Sequence, residues 1–413
     1  MTKSVASELV FLDGKRSEMT ELVRRWCAIN SGSRNLDGVR AMKDALIAAF
    51  SQLPGEVETL RADPHRVVNS AGEIEEMAVG DMVRMVHNAQ APVRVLLAGH
   101  MDTVFPADHP FQNDRLLDDD TMNAPGGADM KGGLAVMLYA LKTLTQTKWA
   151  DQIGFEVLIN ADEEIGSHGS AGALRAAAER AHFACVFEPA LADGTLAGAR
   201  KGSGNFTGVF KGKSAHAGRE HHLGRNAIVA AGDFAASISK LTGGRDQLTV
   251  NVGSIDGGGP VNVVPDLAMV RFNVRIEQPD DASWILGKAK AIVAQTASDH
   301  DLSGELMGDF TRPPKPMTPK LKAFFEALRA VGAELGLGVQ WQPTGGCCDG
   351  NNIAAAGIPV IDTLGVRGGS IHSADEYVRL DSLEERAKLT ALLLMKIASG
   401  EIPNPGLDGV EAS

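Results

Sequence analysis

The stretch Val93-Arg94-Val95-Leu96-Leu97-Ala98-Gly99-His100-Met101-Asp102 decides how this chain folds. Its apolar residues form a near-continuous run and do not alternate with polar ones. An extended segment of that kind is covered on both faces, as the central strand of an α/β sheet is. It ends on a histidine and an aspartate two residues apart.

Downstream, 134–144 (LAVMLYALKTL) reads as a helix, 154–161 (GFEVLINA) as a strand, 170–181 (SAGALRAAAERA) as a helix and 183–188 (FACVFE) as a strand. That alternation is the rhythm of a doubly wound α/β sheet. Upstream, Glu18 to Phe50 carries helical apolar spacing broken by the turn cluster Asn30-Ser31-Gly32-Ser33, giving two helices. The segment 82–88 (MVRMVHN) is expected to form a hairpin-like pair with 93–99 across Ala89-Gln90-Ala91-Pro92.

From about Gly198 the texture changes. Strand 204–212, helix 224–241, strands 248–254 and 266–276, helix 280–297 and strand 304–310 follow in the order βαββαβ of a ferredoxin-like domain. Within 266–276, Ala268, Val270, Phe272, Val274 and Ile276 alternate with Met269, Arg271, Asn273 and Arg275, so Arg271 and Arg275 share the polar face. The stretch Thr311-Arg312-Pro313-Pro314-Lys315-Pro316 marks a stiff return to the first domain. A helix over 321–336, a loop over 344–352 (TGGCCDGNN), a strand over 359–365 and a last helix complete it. Ser382 and Glu385 stand at capping-box spacing before that last helix. The expected division is 1–197 and 313–413 for the catalytic domain and 198–312 for the insert, with disorder after Gly400.

A chain of 413 residues exceeds the size of one ordinary core, in keeping with two domains. Its net charge of -12 argues against a nucleic-acid or anionic-membrane partner, which selects basic surfaces. The N-terminal residues lack a secretory apolar core, and no stretch has eighteen uninterrupted apolar residues, so a cytoplasmic protein is expected. Cys27, Cys185, Cys347 and Cys348 show no metal-binding C-x-x-C spacing, which leaves any metal to histidines and carboxylates.

Such groups fall where strands end. His100 and Asp102 follow the first strand, Asp162-Glu163-Glu164 the second and Glu188 the third; His372 lies beyond the strand 359–365, and Asp129 precedes the helix 134–144. The carboxyl ends of strands line the ligand crevice of open α/β sheets, so these residues can converge. Two histidines with several carboxylates suit zinc or a similar divalent ion. A carboxylate two residues from His100 can hold its ring N–H, and adjacent Glu163 and Glu164 are expected to face opposite sides of an extended segment.

The segments GHMDTVFP, GGADMKGGLAVML, NADEEIGSHGS, FEPA, SAHAG, GRNA, VNVVP and HSADEY resemble, in order and over nearly the whole chain, a metallopeptidase family. Its members include glutamate carboxypeptidase, aminoacylase, acetylornithine deacetylase and succinyl-diaminopimelate desuccinylase, and the layout is most similar to glutamate carboxypeptidase. The resemblance implies a di-zinc aminopeptidase-like catalytic domain with a ferredoxin-like lid that also dimerises. It implies two zinc ions, with cobalt or manganese as substitutes: one held by His100 and Glu188, the other by Glu164 and His372, and Asp129 bridging both. Asp102 would orient His100, and Glu163 would be the general base for a metal-bridging hydroxide. His216 resembles a lid histidine that reaches the partner subunit's site in a homodimer, Asn262 a substrate-contacting asparagine, and Arg275 the arginine that grips a substrate carboxylate. Arg271 and Arg312 are alternatives for that grip, since each guanidinium offers the same bidentate fork.

Gly345-Gly346-Cys347-Cys348-Asp349 matches the family's Gly-Gly loop except for its two thiols, which bear on side-chain preference. The reading is a hydrolase of an amide bond, releasing a C-terminal glutamate-like amino acid from a small substrate. The alternative is a deacylase or aminohydrolase acting on an N-acyl amino acid, aryl amide or amine. A non-catalytic binding protein on the same fold would be announced by loss of the base or a ligand, and none is lost.

Overall fold

The computed structural model describes residues 5–404; of the tail after Gly400, where disorder is expected, Glu401 pairs with Lys396 and Ile402 is buried, while residues 405–413 lie outside the described residues. The chain opens with helices α1 (Arg16–Cys27) and α2 (Leu36–Phe50), then strands β1 (Glu56–Leu60), β2 (Met82–His87) and β3 (Val93–His100). Helix α3 (Gly132–Leu144), strand β4 (Ile153–Asn160), helix α4 (Ala171–Ala178) and strand β5 (Phe183–Val186) follow. The second block runs β6 (Gly202–Lys211), α5 (Ala227–Ser239), β7 (Thr249–Gly257), β8 (Leu267–Ile276), α6 (Pro279–Asp299) and β9 (Ser303–Arg312). The chain then returns through α7 (Pro319–Glu334), α8 (Asp349–Ala354), β10 (Val360–Ile361) and α9 (Asp381–Ala398).

The first sheet has the order β1-β2-β4-β3-β5-β10, with β4, β3, β5 and β10 mutually parallel. Side chains of β3 divide between its two faces as a doubly covered strand requires. Val95 and Leu97 enter the core that contains Leu134, Leu138 and Leu392 of α3 and α9, while Leu96 and Ala98 pack with Leu174 and Ala177 of α4.

The expected hairpin of 82–88 with 93–99 does not form. Strand β4 lies between β2 and β3, antiparallel to the first and parallel to the second. A strand buried on both faces has no water for its edges, so β3 takes a parallel partner on each side. The link from β2 to β3 crosses two strand spacings, roughly 10 Å.

The second sheet, β7-β8-β6-β9, is antiparallel throughout and carries α5 and α6 on one face, the ferredoxin-like arrangement expected. Phe206, Phe210, Val270, Phe272 and Val274 pack against Phe234, Ile285 and Val293. Arg271, Asn273 and Arg275 occupy the other face.

Two local expectations are corrected. Ser382 does not cap α9: it lies inside the helix, its hydroxyl donating to Arg379 O at 2.6 Å and accepting from Arg367 N at 2.9 Å, while Glu385 pairs with Arg367. The 344–352 loop is shortened by α8, which Cys348 caps by accepting from Gly350 N. No helix among the described residues is long and apolar enough to cross a membrane.

Close approach of α3 to the sheet depends on Gly133, where a Cβ would lie 2.0 Å from Phe187 O. Gly172 in α4 has open space beside it. Gly133→Ala should therefore lower unfolding free energy by about 1–3 kcal/mol, whereas Gly172→Ala should raise it by up to about 1 kcal/mol through helix propensity. Denaturant midpoints of the two variants check this, and equal shifts would contradict the packing account.

Candidate metal centre

The parallel strands end on one edge of the first sheet, and the charged residues gather there. β3 ends at His100, β4 leads into Glu163 and Glu164, and β5 is followed by Glu188. Glu163 and Glu164 stand on a single 3-10 turn (Glu163–Ile165) rather than on an extended segment. They nevertheless part company, one toward Arg312 and the other toward His372.

Asp129 lies between two imidazoles. Its Oδ1 is 3.2 Å from His100 Nε2 and its Oδ2 is 3.3 Å from His372 Nε2. Glu188 Oε2 stands 3.7 Å from His100 Nε2, and Glu164 Oε2 stands 3.2 Å from His372 Nε2. The carboxylate thus separates two half-sites, each with one histidine and one glutamate. Two overlapping groups, His100-Glu163-Glu188 and His100-Asp129-Glu164, have ligand atoms within 4.8 Å of one another and can hold an ion.

The electrostatics favour positive charge here. Burial pushes up the carboxyl pKa values of Glu163 and Glu188 and takes Glu164 to about 7. Burial opposes charge on His100, yet Glu188, Asp102 and Asp129 hold its pKa well above the ordinary imidazole value, and Asp129 and Glu164 raise His372 to about 10. Asp129 stays low in spite of burial because both imidazoles face it. Glu188 Oε1 is buried and has no hydrogen-bond partner. An orphaned carboxylate oxygen among nitrogen and oxygen donors fits a divalent cation.

Asp102 is fully buried beneath His100. Its backbone carbonyl is the nearer partner of His100 Nδ1, at 3.0 Å, while its carboxylate Oδ1 is 3.5 Å away. That carboxylate accepts from Glu163 N, Glu164 N and the Ser33 hydroxyl, so it also supports the turn carrying the two glutamates.

Of the three arginines considered for a substrate carboxylate, two are already paired. Arg271 meets Asp256 and donates to Val68 O. Arg312, 4% exposed at the end of β9, bonds Glu163 Oε1 and Asp349 Oδ1, each at 2.7 Å. Arg275 donates to Asn273 Oδ1 and approaches Cys347 Sγ at 3.1 Å, and it meets no carboxylate among the described residues.

Cys347 and Cys348 line a cavity of about 330 Å³ together with Asp129, Glu163, Glu188 and His372. The thiols do not face each other: Cys347 donates to Lys201 O and Cys348 accepts from Gly350 N. His216 and Asn262 do not join this cavity. They sit exposed on the second domain, where Ala215–His216 pairs with Val263–Val264 and Ala217 N donates to Asn262 O.

Three contributors escaped sequence reasoning. Arg312 beside Glu163 was visible only as a possible substrate arginine. Arg200, paired with Asp362 and lining the cavity, had no spacing signal at all. Glu376 stands four residues beyond His372 within a quoted motif, but its contacts lie across the fold.

The model of the Peptidase family M20/M25/M40 matches residues 96–396. Carboxypeptidase G2 from Pseudomonas sp. (strain RS-16) is 29% identical over 391 residues, covering 90% of this chain and 88% of its own. Succinyl-diaminopimelate desuccinylase from Bordetella petrii is 28% identical over 365 residues, covering 84% and 94%. In structure, the Bacillus subtilis YXEP protein, described as a dinuclear metal binding peptidase from M20 family, superposes with a TM-score of 0.65 at 15% identity, covering 94% of this chain and 99% of that one. The match spans most of the chain, including the strand ends that carry the charged cluster, and it makes this protein a metal-dependent hydrolase of amide bonds: the chain belongs to the Peptidase family M20/M25/M40.

Proposed function

We propose that the protein is a zinc-dependent carboxypeptidase that releases a glutamate-like amino acid from an amide of small size. The observation that carries the reading is Asp129 standing between His100 and His372 with Glu188 and Glu164 alongside. His100 and Glu188 would hold one ion, His372 and Glu164 the other, and Asp129 both, in a catalytic domain of 1–197 and 313–413 with a lid of 198–312. Divalent ions there would supply Lewis acidity, which polarises a carbonyl and lowers the pKa of water towards neutrality.

Glu163 lines the cavity and takes the proton of the attacking water, then returns it to the leaving nitrogen. Arg312, tied to Asp349, holds one Glu163 oxygen and so fixes the direction of the base. Of the three arginines, Arg275 is the one that meets no carboxylate among the described residues, and it would grip the substrate carboxylate. Leu191 and Ile371 give the cavity an apolar wall suited to a short side chain. The relatives named carboxypeptidase G2 and succinyl-diaminopimelate desuccinylase both support amide substrates. The desuccinylase keeps deacylation of an N-acyl amino acid as the second reading. Four free cysteines support a reducing, cytoplasmic setting.

We further infer a homodimer in which His216 and Asn262 serve the partner's site. Both are exposed away from their own cavity, beside the apolar and exposed Val261 and Val263.

A screen of zinc-loaded protein against acyl-glutamates, dipeptides, acetyl-amino acids and aryl amides tests the substrate. Acyl-glutamates should turn over best, and Arg275→Met should raise KM for them by roughly 10- to 150-fold, the worth of about 1.5–3 kcal/mol for a charged hydrogen bond. Turnover confined to amides without a free carboxylate contradicts the carboxypeptidase reading and the role of Arg275 together.

Assembly has its own test. Inactive His216→Ala and Glu163→Gln proteins, refolded together, should recover up to about a quarter of wild-type activity, because one site in a mixed dimer keeps both groups. Mixed dimers verified by mass but inactive would contradict action across the interface.

A further inference from the structure

Glu376 is 1% exposed and carries no assignment in the reaction above. Its carboxylate accepts three backbone N–H groups from the segment that bears the shared aspartate: Gly126 N at 3.0 Å on Oε2, and Ala128 N at 2.9 Å and Asp129 N at 3.1 Å on Oε1. Its own backbone is tied to the same region, since Glu376 O accepts from Asn123 Nδ2 at 2.7 Å and from Ala124 N at 3.3 Å. Four residues earlier the same loop carries His372, and Ser373 O accepts from Glu376 N to hold that loop in a turn.

A buried carboxylate accepting three amides is a rigid joint, because each lost bond leaves a polar group without water to replace its partner. This joint connects the Asp129 segment to the His372 loop, elements far apart in sequence whose side chains face each other at 3.3 Å. We propose that Glu376 is a positioning residue that sets Asp129 against His372, and thereby sets the affinity of the His372-side cation. The inference rests on the two-ion reading of the proposed function. It makes Glu376 act through Asp129 and His372, without touching substrate or ion.

Glutamine tests it with little change of shape. An amide group at Glu376→Gln still accepts from one side of the joint, but on the other its NH2 meets a backbone donor in place of an acceptor. Groups that orient metal ligands typically contribute about 10- to 100-fold in affinity.

The experiment is a stepwise zinc titration of metal-stripped protein, read by competition with a chromophoric chelator and not by activity, alongside the melting temperature. His372→Ala identifies which step belongs to the His372 side. Glu376→Gln should weaken that step by about 10- to 100-fold and the other step, which shares Asp129 but not the His372 loop, by less. Any pattern in which the His372-side step is not the more weakened overturns the proposal, including a lower melting temperature with unchanged affinities.

Glu376→Asp, which keeps the charge but withdraws it by one methylene, should weaken the same step and carries the comparison if glutamine does not fold. Failure of both variants to fold would assign Glu376 a purely structural part and overturn the proposal too. Wild-type protein that binds one ion or none contradicts the two-ion reading itself, before any variant is compared.

Discussion

Four carboxylates, Asp129, Glu163, Glu164 and Glu188, gather around His100 at the carboxyl ends of the parallel strands, Glu163 and Glu188 in one group with it and Asp129 and Glu164 in another, all nearly shut off from solvent. Such a cluster is intolerable in a low-dielectric interior unless positive charge is brought to it. The rest of the molecule is arranged around that requirement. Parallel strands β3, β4 and β5 deliver the groups to one edge, and both histidines have pKa values raised by the carboxylates they face. Arg312 and Arg200 bring permanent cations to the flank, each anchored on a buried aspartate.

That arrangement also links the two sheets mechanically. Arg312 is the last residue of the last strand in the ferredoxin-like block, yet it bonds Glu163 and Asp349 of the other one. Asp349 is in turn held by Ser167 and Asn160, so the glutamate assigned as base is braced from both sides of the molecule. Close to that bridge, Asn351 Nδ2 donates to both Pro313 O and Lys201 O, Lys201 Nζ donates to Gln247 O, and Cys347 donates to Lys201 O, bringing the unusual thiol next to the junction.

Much of this was legible in the sequence, for a physical reason. A strand buried on both faces must be apolar until it emerges, so β3 reveals itself and so does the chemistry at its end in His100 and Asp102. The same holds for Glu163, Glu164 and Glu188. Period-two alternation placed Arg271 and Arg275 on one face of β8. What stayed illegible depends on distant partners. The insertion of β4 between β2 and β3 is a choice among strand pairings that local pattern does not express, and Ser382 has the chemistry of a cap but spends it on Arg367 and Arg379. Arg312 looked equivalent to Arg271 and Arg275 until Glu163 and Asp349 were found beside it. Glu376 had nothing in its neighbours to show that its three donors lie about 250 positions away.

Metal content measures directly whether one aspartate is shared between two cations. After equilibration with zinc and removal of excess, elemental analysis of wild-type protein should give two ions per chain, His372→Ala and Glu188→Gln about one each, and Asp129→Asn close to none with its fold intact by circular dichroism. An Asp129→Asn protein that keeps one or both ions as firmly as wild type does would contradict the account.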